Sequence, residues 1–333
     1  MNDNKKDLDL LKKLAASRNH FYEEIGKTII GQKNVLDHML IALLSSGHTL
    51  LVGVPGLAKT LLIKSLADVL DLSFKRIQFT PDLMPSDITG TELIDMDPET
   101  DQRKFRFYKG PIFGNIILAD EINRTPPKTQ SALLEAMQEH KVTSGGQTYN
   151  LDEPFFVMAT QNPIEQEGTY PLPEAQVDRF MFKLLVKYPD KASERLVLRQ
   201  NTKPSDLSKL KDVVTPEEIL EAQNVIQDIY VDEKVEDYVL KLIFATRDPQ
   251  DHGLNDLDGI IDFGASPRAT INLVRAAKAR AFIERRGYIT PEDIRYVGSD
   301  VLRHRVILTY EAEAEELTAD DIIQRLFEVI EIP

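Results

Sequence analysis

Apolar and polar residues follow two alternating patterns through the first half of the chain. Short apolar runs, typical of buried strands, are separated by stretches with apolar residues at helical spacing. The predicted strands lie within Thr49–Val54, Asn115–Ala119, Phe155–Thr160 and Phe180–Val186, and the clearest helices within Lys59–Leu70 and Lys128–His140. Buried strands that alternate with helices predict an α/β domain with a largely parallel sheet.

Two further segments of this half have the pattern of β-hairpins. Val142–Tyr149 is centred on a Gly-Gly pair, which is typical of a two-residue turn. Thr91–Tyr108 predicts a second hairpin with a longer turn at Asp97–Thr100. Phe105 and Phe107 alternate with basic residues on its second strand, so the two faces of that strand differ.

The pattern becomes helical after Tyr188. Helix starts of one form, a Ser or Thr followed by Pro, recur at Thr215, Ser266 and Thr290, and Thr318 begins a capping box. A polar connector at Asn201–Asp212 precedes them, and an amphipathic helix at Asp7–Lys27 leads the chain. We therefore predict an α/β domain over residues 1–189 and an all-helical domain over residues 190–333.

Composition removes several classes of function. The chain has 333 residues, and 40 Lys and Arg against 54 Asp and Glu give a net charge of −14, which argues against nucleic-acid binding through bulk charge. Without Cys and with six scattered His, a thiolate or imidazole metal site is not expected, whereas Mg²⁺ can bind through oxygen. No apolar run is long enough for a bilayer and no signal-peptide core is present, so we expect a cytoplasmic protein without membrane insertion.

The strongest chemical signal is a loop between the first predicted strand and its helix. A helix N-terminus with free backbone N–H groups binds phosphate, and here Lys59 and Thr60 are suited to the β/γ-phosphates and to Mg²⁺. The usual last glycine of such a loop is Ala58, for which we expect a helical conformation and a narrowed loop. A plain Gly/Pro turn is the alternative. The predicted nucleotide contacts are Gly53, Val54, Pro55, Gly56, Leu57, Ala58, Lys59, Thr60 and Leu61.

Polar residues follow two of the other predicted strands. Asp120 is placed to hold the Mg²⁺ shell, and Glu121 to orient the attacking water. Asn162 is placed to touch the γ-phosphate or that water. The alternatives are an acidic turn for the first pair and a turn-starting Asn-Pro for Asn162.

Two arginines complete the candidate catalytic set. Arg179 follows a short predicted helix and is suited to meet the γ-phosphate of another subunit; a pair with Asp178, or a cation at the helix end, is the alternative. Arg268 stands in the first turn of a helix, where it opposes the helix dipole. A bound phosphate would explain that cation, and a solvated arginine is the alternative.

These motifs together resemble the AAA+ ATPases and, more narrowly, the MoxR family. The resemblance is carried by Gly53–Thr60 with its Ala58, Phe107–Glu139, Ala159–Phe180 and Gly264–Ala269, and it covers the chain from about Ile29 onwards. It implies an αβα ATPase core followed by a helical lid, with ATP and Mg²⁺ between them and the adenine near Ile30 and Gly31. In that family's terms Lys59 and Thr60 are Walker A, Asp120 and Glu121 Walker B, Asn162 sensor 1, Arg179 the arginine finger and Arg268 sensor 2.

The resemblance also implies an assembly and a type of work. MoxR proteins are chaperone-like ATPases that mature client complexes or insert metal into them, often with a partner that has a von Willebrand factor A domain. A homo-oligomeric ring, commonly a hexamer, is implied because the finger acts across a subunit boundary. The two hairpins correspond to the helix-2 insert and the pre-sensor-1 hairpin, where Phe105 and Phe107 either pack or touch substrate. A nucleic-acid motor and a magnesium-chelatase-like motor subunit are the alternatives.

Overall fold

A five-stranded parallel sheet forms the centre of the first half of the chain. The computed structural model describes residues 20–54, 56–96, 103–163, 168–201 and 213–333. The sheet strands are β1 (Thr49–Val52), β2 (Phe74–Gln78), β5 (Ile116–Asp120), β8 (Phe156–Gln161) and β9 (Phe182–Leu185). Their order is β2-β5-β8-β1-β9, and every pairing is parallel. The predicted α/β class is confirmed.

Both faces of the sheet are covered by helices. Successive residues of a strand point to opposite faces, so Ile116 and Leu118 join an apolar cluster with α1 (Lys33–Leu44) and α2 (Lys59–Val69). Ile117 and Ala119 join a second cluster with α4 (Pro127–Glu139). The strands therefore read as continuous apolar runs. The edge strand β2 is mostly exposed, and its mixed sequence explains why the apolar pattern did not predict it.

Both predicted hairpins are present. After the short helix α3 (Pro85–Thr89), β3 (Gly90–Met96) pairs antiparallel with β4 (Arg103–Lys109), while the predicted turn at 97–100 lies outside the described residues. The second hairpin pairs β6 (Lys141–Ser144) with β7 (Gln147–Asn150). Phe107 stacks on Tyr149 with ring centroids 4.2 Å apart, so the hairpins pack on each other. Phe105 is 74% exposed.

The C-terminal region is helical apart from one short strand pair. Its helices are α6 (Lys191–Asn201), α7 (Pro216–Gln227), α8 (Glu233–Ala245), α9 (Pro267–Ile283), α10 (Pro291–Leu302), α11 (Tyr310–Ala314) and α12 (Ala319–Val329); the four-residue α5 (Glu174–Val177) precedes β9. The antiparallel strands β10 (Ile261–Phe263) and β11 (Ile307–Leu308) correct the prediction of an all-helical domain; at three and two residues they are too short to give a strand pattern in the sequence.

The predicted helix starts are present in this region. Thr215, Thr290 and Thr318 each form a capping box, whereas Ser266 makes no side-chain cap bond. Residues 20–26 of the predicted leading helix are helical, and its earlier part lies outside the described residues. Asn201 is the last residue of α6, and residues 202–212 of the predicted connector lie outside the described residues.

Helix α1 packs against both halves of the chain. The apolar cluster on its face of the sheet continues into α7, α8, α9 and α10. The Gln223 side chain donates to the carbonyl of Leu43 at 2.7 Å, and His38 stacks on Tyr296 with ring centroids 4.9 Å apart. The C-terminal helices are therefore packed against the sheet domain. Throughout the described ranges, every helix is too short or too polar to cross a bilayer.

Candidate active site

The loop between β1 and α2 holds the predicted phosphate-binding residues, of which Pro55 lies outside the described residues. Helix α2 begins at Lys59, with Ala58 at its N-cap. Lys59 Nζ donates to the carbonyl of Gly53 at 2.6 Å, so the ammonium lies over the loop. A phosphate oxygen can replace this neutral partner, since a bond between two charged groups is stronger.

Ala58 differs from expectation. It lies in the left-handed region at φ 53°, ψ 28°, beside Gly56 at φ 85°. The prediction of a helical conformation for Ala58 is therefore wrong in its hand. Alanine prefers the right-handed conformation, and the left-handed one costs about 1–2 kcal/mol. The turn from loop to helix imposes this conformation, which a glycine would adopt without strain.

Lys59 also lies in the electrostatic field of the acidic residues at the end of β5. Burial lowers the pKa of Lys59, and the charges of Asp120 and Glu121 act in the opposite direction. The start of α2 and the end of β5 are therefore neighbours. The carboxyl ends of parallel strands meet at this edge of the sheet, which is where ligands bind in such folds.

Asp120 is held by hydrogen bonds on both carboxylate oxygens. Thr160 Oγ1 donates to Oδ1 at 2.6 Å, and Arg76 donates to Oδ2 at 2.6 Å. The Thr60 hydroxyl on α2 and the Asp120 carboxylate are hard oxygen donors of the kind Mg²⁺ takes together with phosphates and water. In the described ranges no cluster of three or more Asp, Glu or His could hold a metal. These donors fit a cation that arrives with a nucleotide.

Glu121 is oriented through its backbone and its side chain. It has φ 57°, ψ 49°, and it precedes a short 3-10 turn at Ile122–Arg124. Its N–H donates to Thr160 Oγ1 at 2.9 Å, and its carboxylate accepts from Gln78 at 2.9 Å and from Arg124 at 3.2 Å. Strain at a left-handed residue persists where the surroundings fix it, as they do here.

Asn162 follows β8 beside the phosphate loop. Val52 pairs with Gln161, and the N–H of Gly53 donates to the Gln161 carbonyl at 3.3 Å. Asn162 is buried one residue later. Asn162 therefore lies next to the loop, and its role at the γ-phosphate stays a prediction.

A cavity of about 290 Å³ adjoins the phosphate loop. Thr28, Ile29, Ile30 and Gln32 line it together with Gly56, Leu57, Ala58, Leu61, Tyr188 and Pro189. The segment predicted near the adenine thus shares a cavity with the phosphate loop. Gly31 does not line it: a Cβ there would stand 2.9 Å from Ser193 Oγ, so Gly31 permits close approach of α6.

Arg179 lies in a different place from the strand-end residues. Its Nη1 donates to the carbonyl of Leu134 on α4 at 3.0 Å. With Gln176 and residues of α4 such as Glu135 and Gln138, it lines a cavity of about 310 Å³ to which the phosphate loop does not contribute. In these contacts Arg179 does not pair with Asp178, although such a pair was an alternative interpretation of this arginine.

Arg268 pairs with Asp178. Its Nη1 donates to Asp178 Oδ2 at 3.1 Å, and the side chain is 43% exposed. The cation at the start of α9 therefore has a carboxylate partner within the chain, which sequence reasoning did not identify. A bound phosphate is not required to explain its position.

Sequence reasoning also missed several residues that contact the site. Thr160 bridges Asp120 and the Glu121 N–H, and Gln78 contacts Glu121 from β2. A polar residue near the end of a buried strand was the available signal for Thr160. Arg305, which binds Asp178 with a 1% exposed side chain, had no such signal because its burial depends on tertiary packing.

Comparisons with known proteins agree with this arrangement. The model of the ATPase family associated with various cellular activities (AAA) matches residues 48–182, and that of the AAA lid domain matches residues 258–326. A Cytophaga hutchinsonii protein assigned as an ATPase has a crystal structure that matches with a TM-score of 0.91 and 48% identity, covering 100% of this chain and 98% of that one. The fold and the site define an AAA ATPase with its lid.

Relatives narrow the class. Chaperone MoxR1 of Mycobacterium tuberculosis is 45% identical over 311 residues, covering 93% of this chain and 81% of its own length. YeaC of Bacillus subtilis is 43% identical, with 93% of each chain covered, and Protein MoxR of Methylorubrum extorquens is 32% identical, with 96% of this chain and 95% of its own covered. This chain belongs to the MoxR family of AAA+ ATPases, and it is an ATP-hydrolysing enzyme.

Proposed function

We propose that ATP binds with Mg²⁺ at the strand ends and that its hydrolysis to ADP and phosphate drives remodelling of a protein client. The observation that supports this most is the arrangement around Thr160, which joins Asp120 to the backbone of Glu121 while the charges of both carboxylates act on Lys59. Positioning and charge stabilisation supply most of the catalysis of phosphoryl transfer. These are the two contributions that such an arrangement can make.

Each side chain has a role in this proposal. Glu121 orients water for attack on the γ-phosphate and accepts its proton, and Asn162 holds that water or the γ-phosphate. Lys59 stabilises the charge that develops on the phosphate oxygens. Thr60 and Asp120 would hold Mg²⁺, which supplies Lewis-acid stabilisation of the phosphates when bound.

In our proposal Arg179 and Arg268 reach the γ-phosphate from positions away from the strand ends. Arg179 serves as a finger for the neighbouring subunit of a ring, which we take to be hexameric; its contact with α4, away from its own phosphate loop, supports this. Arg268 leaves Asp178 to reach the γ-phosphate. A γ-phosphate carries more charge than a carboxylate, so the exchange is favourable.

We propose a protein as the client rather than a nucleic acid. Arg106 lies 3.6 Å from Asp95 and Phe107 is stacked on Tyr149, so the basic and aromatic residues of β4 are partly engaged within the hairpins. Phe105 and Ile94 are directly opposite on the hairpin and exposed, a pair suited to an apolar segment of protein. Chaperone activity, named for a relative, is consistent with this. A von Willebrand factor A domain protein is the proposed partner.

Two units carry out this work in our proposal, the core over residues 1–189 and the lid over residues 190–333. The matched family segments at 48–182 and 258–326 fall on either side of that boundary. The nucleotide would lie between the two. Opening and closing of the lid would then follow the nucleotide state.

A trapping experiment tests the function. The Glu121→Gln variant should bind ATP and stay in the ATP state, so tagged Glu121→Gln protein should retain a specific protein partner that Lys59→Ala protein does not. The partner should be released on exchange of ATP for ADP. Equal recovery with both variants would contradict nucleotide-driven remodelling. ATPase stimulation by DNA that falls steeply with salt would favour the nucleic-acid alternative.

A further inference from the structure

Arg305 makes an unusually complete set of contacts for a buried arginine. A guanidinium has five N–H donors. Its Nε donates to Asp178 Oδ1 at 2.6 Å, Nη2 to the carbonyls of Asp178 at 2.8 Å and Phe180 at 2.7 Å, and Nη1 to those of Met181 and Val301. Each donor therefore has a partner. Four of the five acceptors belong to the segment Asp178–Met181.

This segment contains the proposed finger. The bonds to the carbonyls of Asp178 and Phe180 fix the backbone on both sides of Arg179. Arg305 does not contact the Arg179 side chain in these bonds, and Arg179 extends instead to the carbonyl of Leu134. The contacts of Arg305 are thus suited to holding the backbone from which the finger projects.

The residues on either side of Arg305 bind the same stretch of chain. His304 Nε2 lies 3.1 Å from the carbonyl of Phe180, and burial lowers the pKa of His304 well below its usual range, so the ring is neutral. Arg303 donates to the carbonyl of Lys183 at 2.7 Å. Residues 303–305 follow α10 directly, so the end of a lid helix binds residues 178–183 of the core.

Asp178 links this contact to the other arginine of the site. Its Oδ1 accepts from Arg305, and its Oδ2 accepts from Arg268 at the start of α9. Helices α9 and α10 follow each other in the lid and share its apolar core. One carboxylate therefore contacts both Arg268 and the arginine that binds the backbone around Arg179.

We infer that Arg305 is a positioning residue for catalysis in the neighbouring subunit: from the lid, it sets the backbone that presents Arg179. The inference rests on the proposed action of Arg179 in trans. Arg305 is not proposed as a catalytic residue, since its guanidinium donors are all taken up by groups of the chain itself. A guanidinium is required, because the ammonium of lysine has three donors and no planar fork.

The test uses Arg305→Lys in the full chain, with Arg325→Lys as the matched control. Arg325 is also a lid arginine, but its pair with Asp256 is exposed. For Arg305→Lys we expect kcat to fall roughly 100-fold, as for a misplaced catalytic group, while the Kd for ATP stays within about threefold. The control should keep wild-type values. An unchanged kcat in Arg305→Lys would overturn the inference.

Mixed oligomers separate positioning from damage to the variant's own site. Arg305→Lys protein keeps its own Glu121, and Glu121→Gln protein keeps a well-placed finger, so rings that contain both should regain turnover to the level of an Arg179→Ala and Glu121→Gln mixture. If the Arg179→Ala mixture regains turnover and the Arg305→Lys mixture does not, the inference is wrong and the finger stands. If neither regains turnover, the trans finger fails and the inference with it, whereas wild-type turnover still reports the ATPase activity.

A second variant guards against loss of folding. Asp178→Asn keeps the backbone carbonyls that Arg305 binds and removes only the carboxylate charge. We expect a smaller fall in kcat, roughly tenfold, with the same recovery in a mixture with Glu121→Gln. Wild-type kcat for Asp178→Asn, or a fall that the mixture does not reverse, would count against the inference.

Discussion

The strand ends and the arginines of the candidate site differ in what holds them. Thr160 binds both Asp120 and Glu121, and Lys59 lies in the field of the two acids, all within one chain. Arg179 and Arg268 are instead held by groups that take no part in the chemistry, the carbonyl of Leu134 and the carboxylate of Asp178. One part of the site is preorganised. In our proposal the other part is delivered by movement of the lid or by another subunit.

The largest expected effect concerns the arginine part. Arg179→Ala should lower kcat by roughly 10³-fold, the lower end of the range for arginine fingers, and leave the Kd for ATP nearly unchanged. Steady-state turnover and nucleotide binding would measure both. If ATP affinity falls as much as turnover, Arg179 is part of its own subunit's binding site and the comparison fails.

Loss of the base tests the preorganised part. Glu121→Gln should lower kcat by roughly 10²–10³-fold and keep ATP binding, because the amide preserves shape but cannot accept a proton. Lys59→Ala should weaken ATP binding as well, since it removes a charge from the phosphates. Turnover of Glu121→Gln at the wild-type rate would show that another group is the base.

A smaller effect is expected at the bridge between the two acids. Thr160→Val keeps the volume and removes both hydrogen bonds of the hydroxyl, so kcat should fall roughly tenfold through misorientation of Glu121. Thr143→Val is the control, since its hydroxyl pairs with Thr148 on an exposed hairpin. If the two variants have equal activity, Thr160 does not organise the site.

The smallest effect concerns backbone strain in the phosphate loop. Ala58→Gly relieves about 1–2 kcal/mol of left-handed strain but adds about 0.4–1 kcal/mol of unfolded-state entropy. The free energy of unfolding should therefore rise by between about 0 and about 1.6 kcal/mol, with turnover within about twofold. Chemical denaturation would measure it. A clear loss of stability would mean that the methyl group packs favourably where we expect strain.

The sequence predicted the preorganised part better than the arginine part. Loop 53–60, Asp120, Glu121 and Asn162 each adjoin a strand or a helix whose apolar pattern gives its position, so their proximity follows from topology. The partners of Arg179 and Arg268 come from α4 and from Asp178, 45 and 90 residues away along the chain. No local pattern encodes such contacts. Arg305 was missed for the same reason.

The hairpins also show that a local sequence pattern predicts an element but not its tertiary contacts. Turn signals and alternation predicted all four strands of β3–β4 and β6–β7, because hairpins are local. The different environments of Phe105 and Phe107 depend on the packing of one hairpin against the other, through Tyr149. Phe105 and Phe107 are two residues apart and lie on the same face of β4. Only Phe107 is half-buried, because only its end of that face packs against the other hairpin.

The central claim is that two different chains complete each site, and mixed rings test it most directly. Arg179→Ala and Glu121→Gln proteins should each be nearly inactive alone and still bind ATP. An equimolar, randomly mixed assembly should regain about a quarter of wild-type turnover, because half of the sites keep the base and half of those receive an intact finger. No recovery at any mixing ratio, with assembly and ATP binding intact, would contradict the claim.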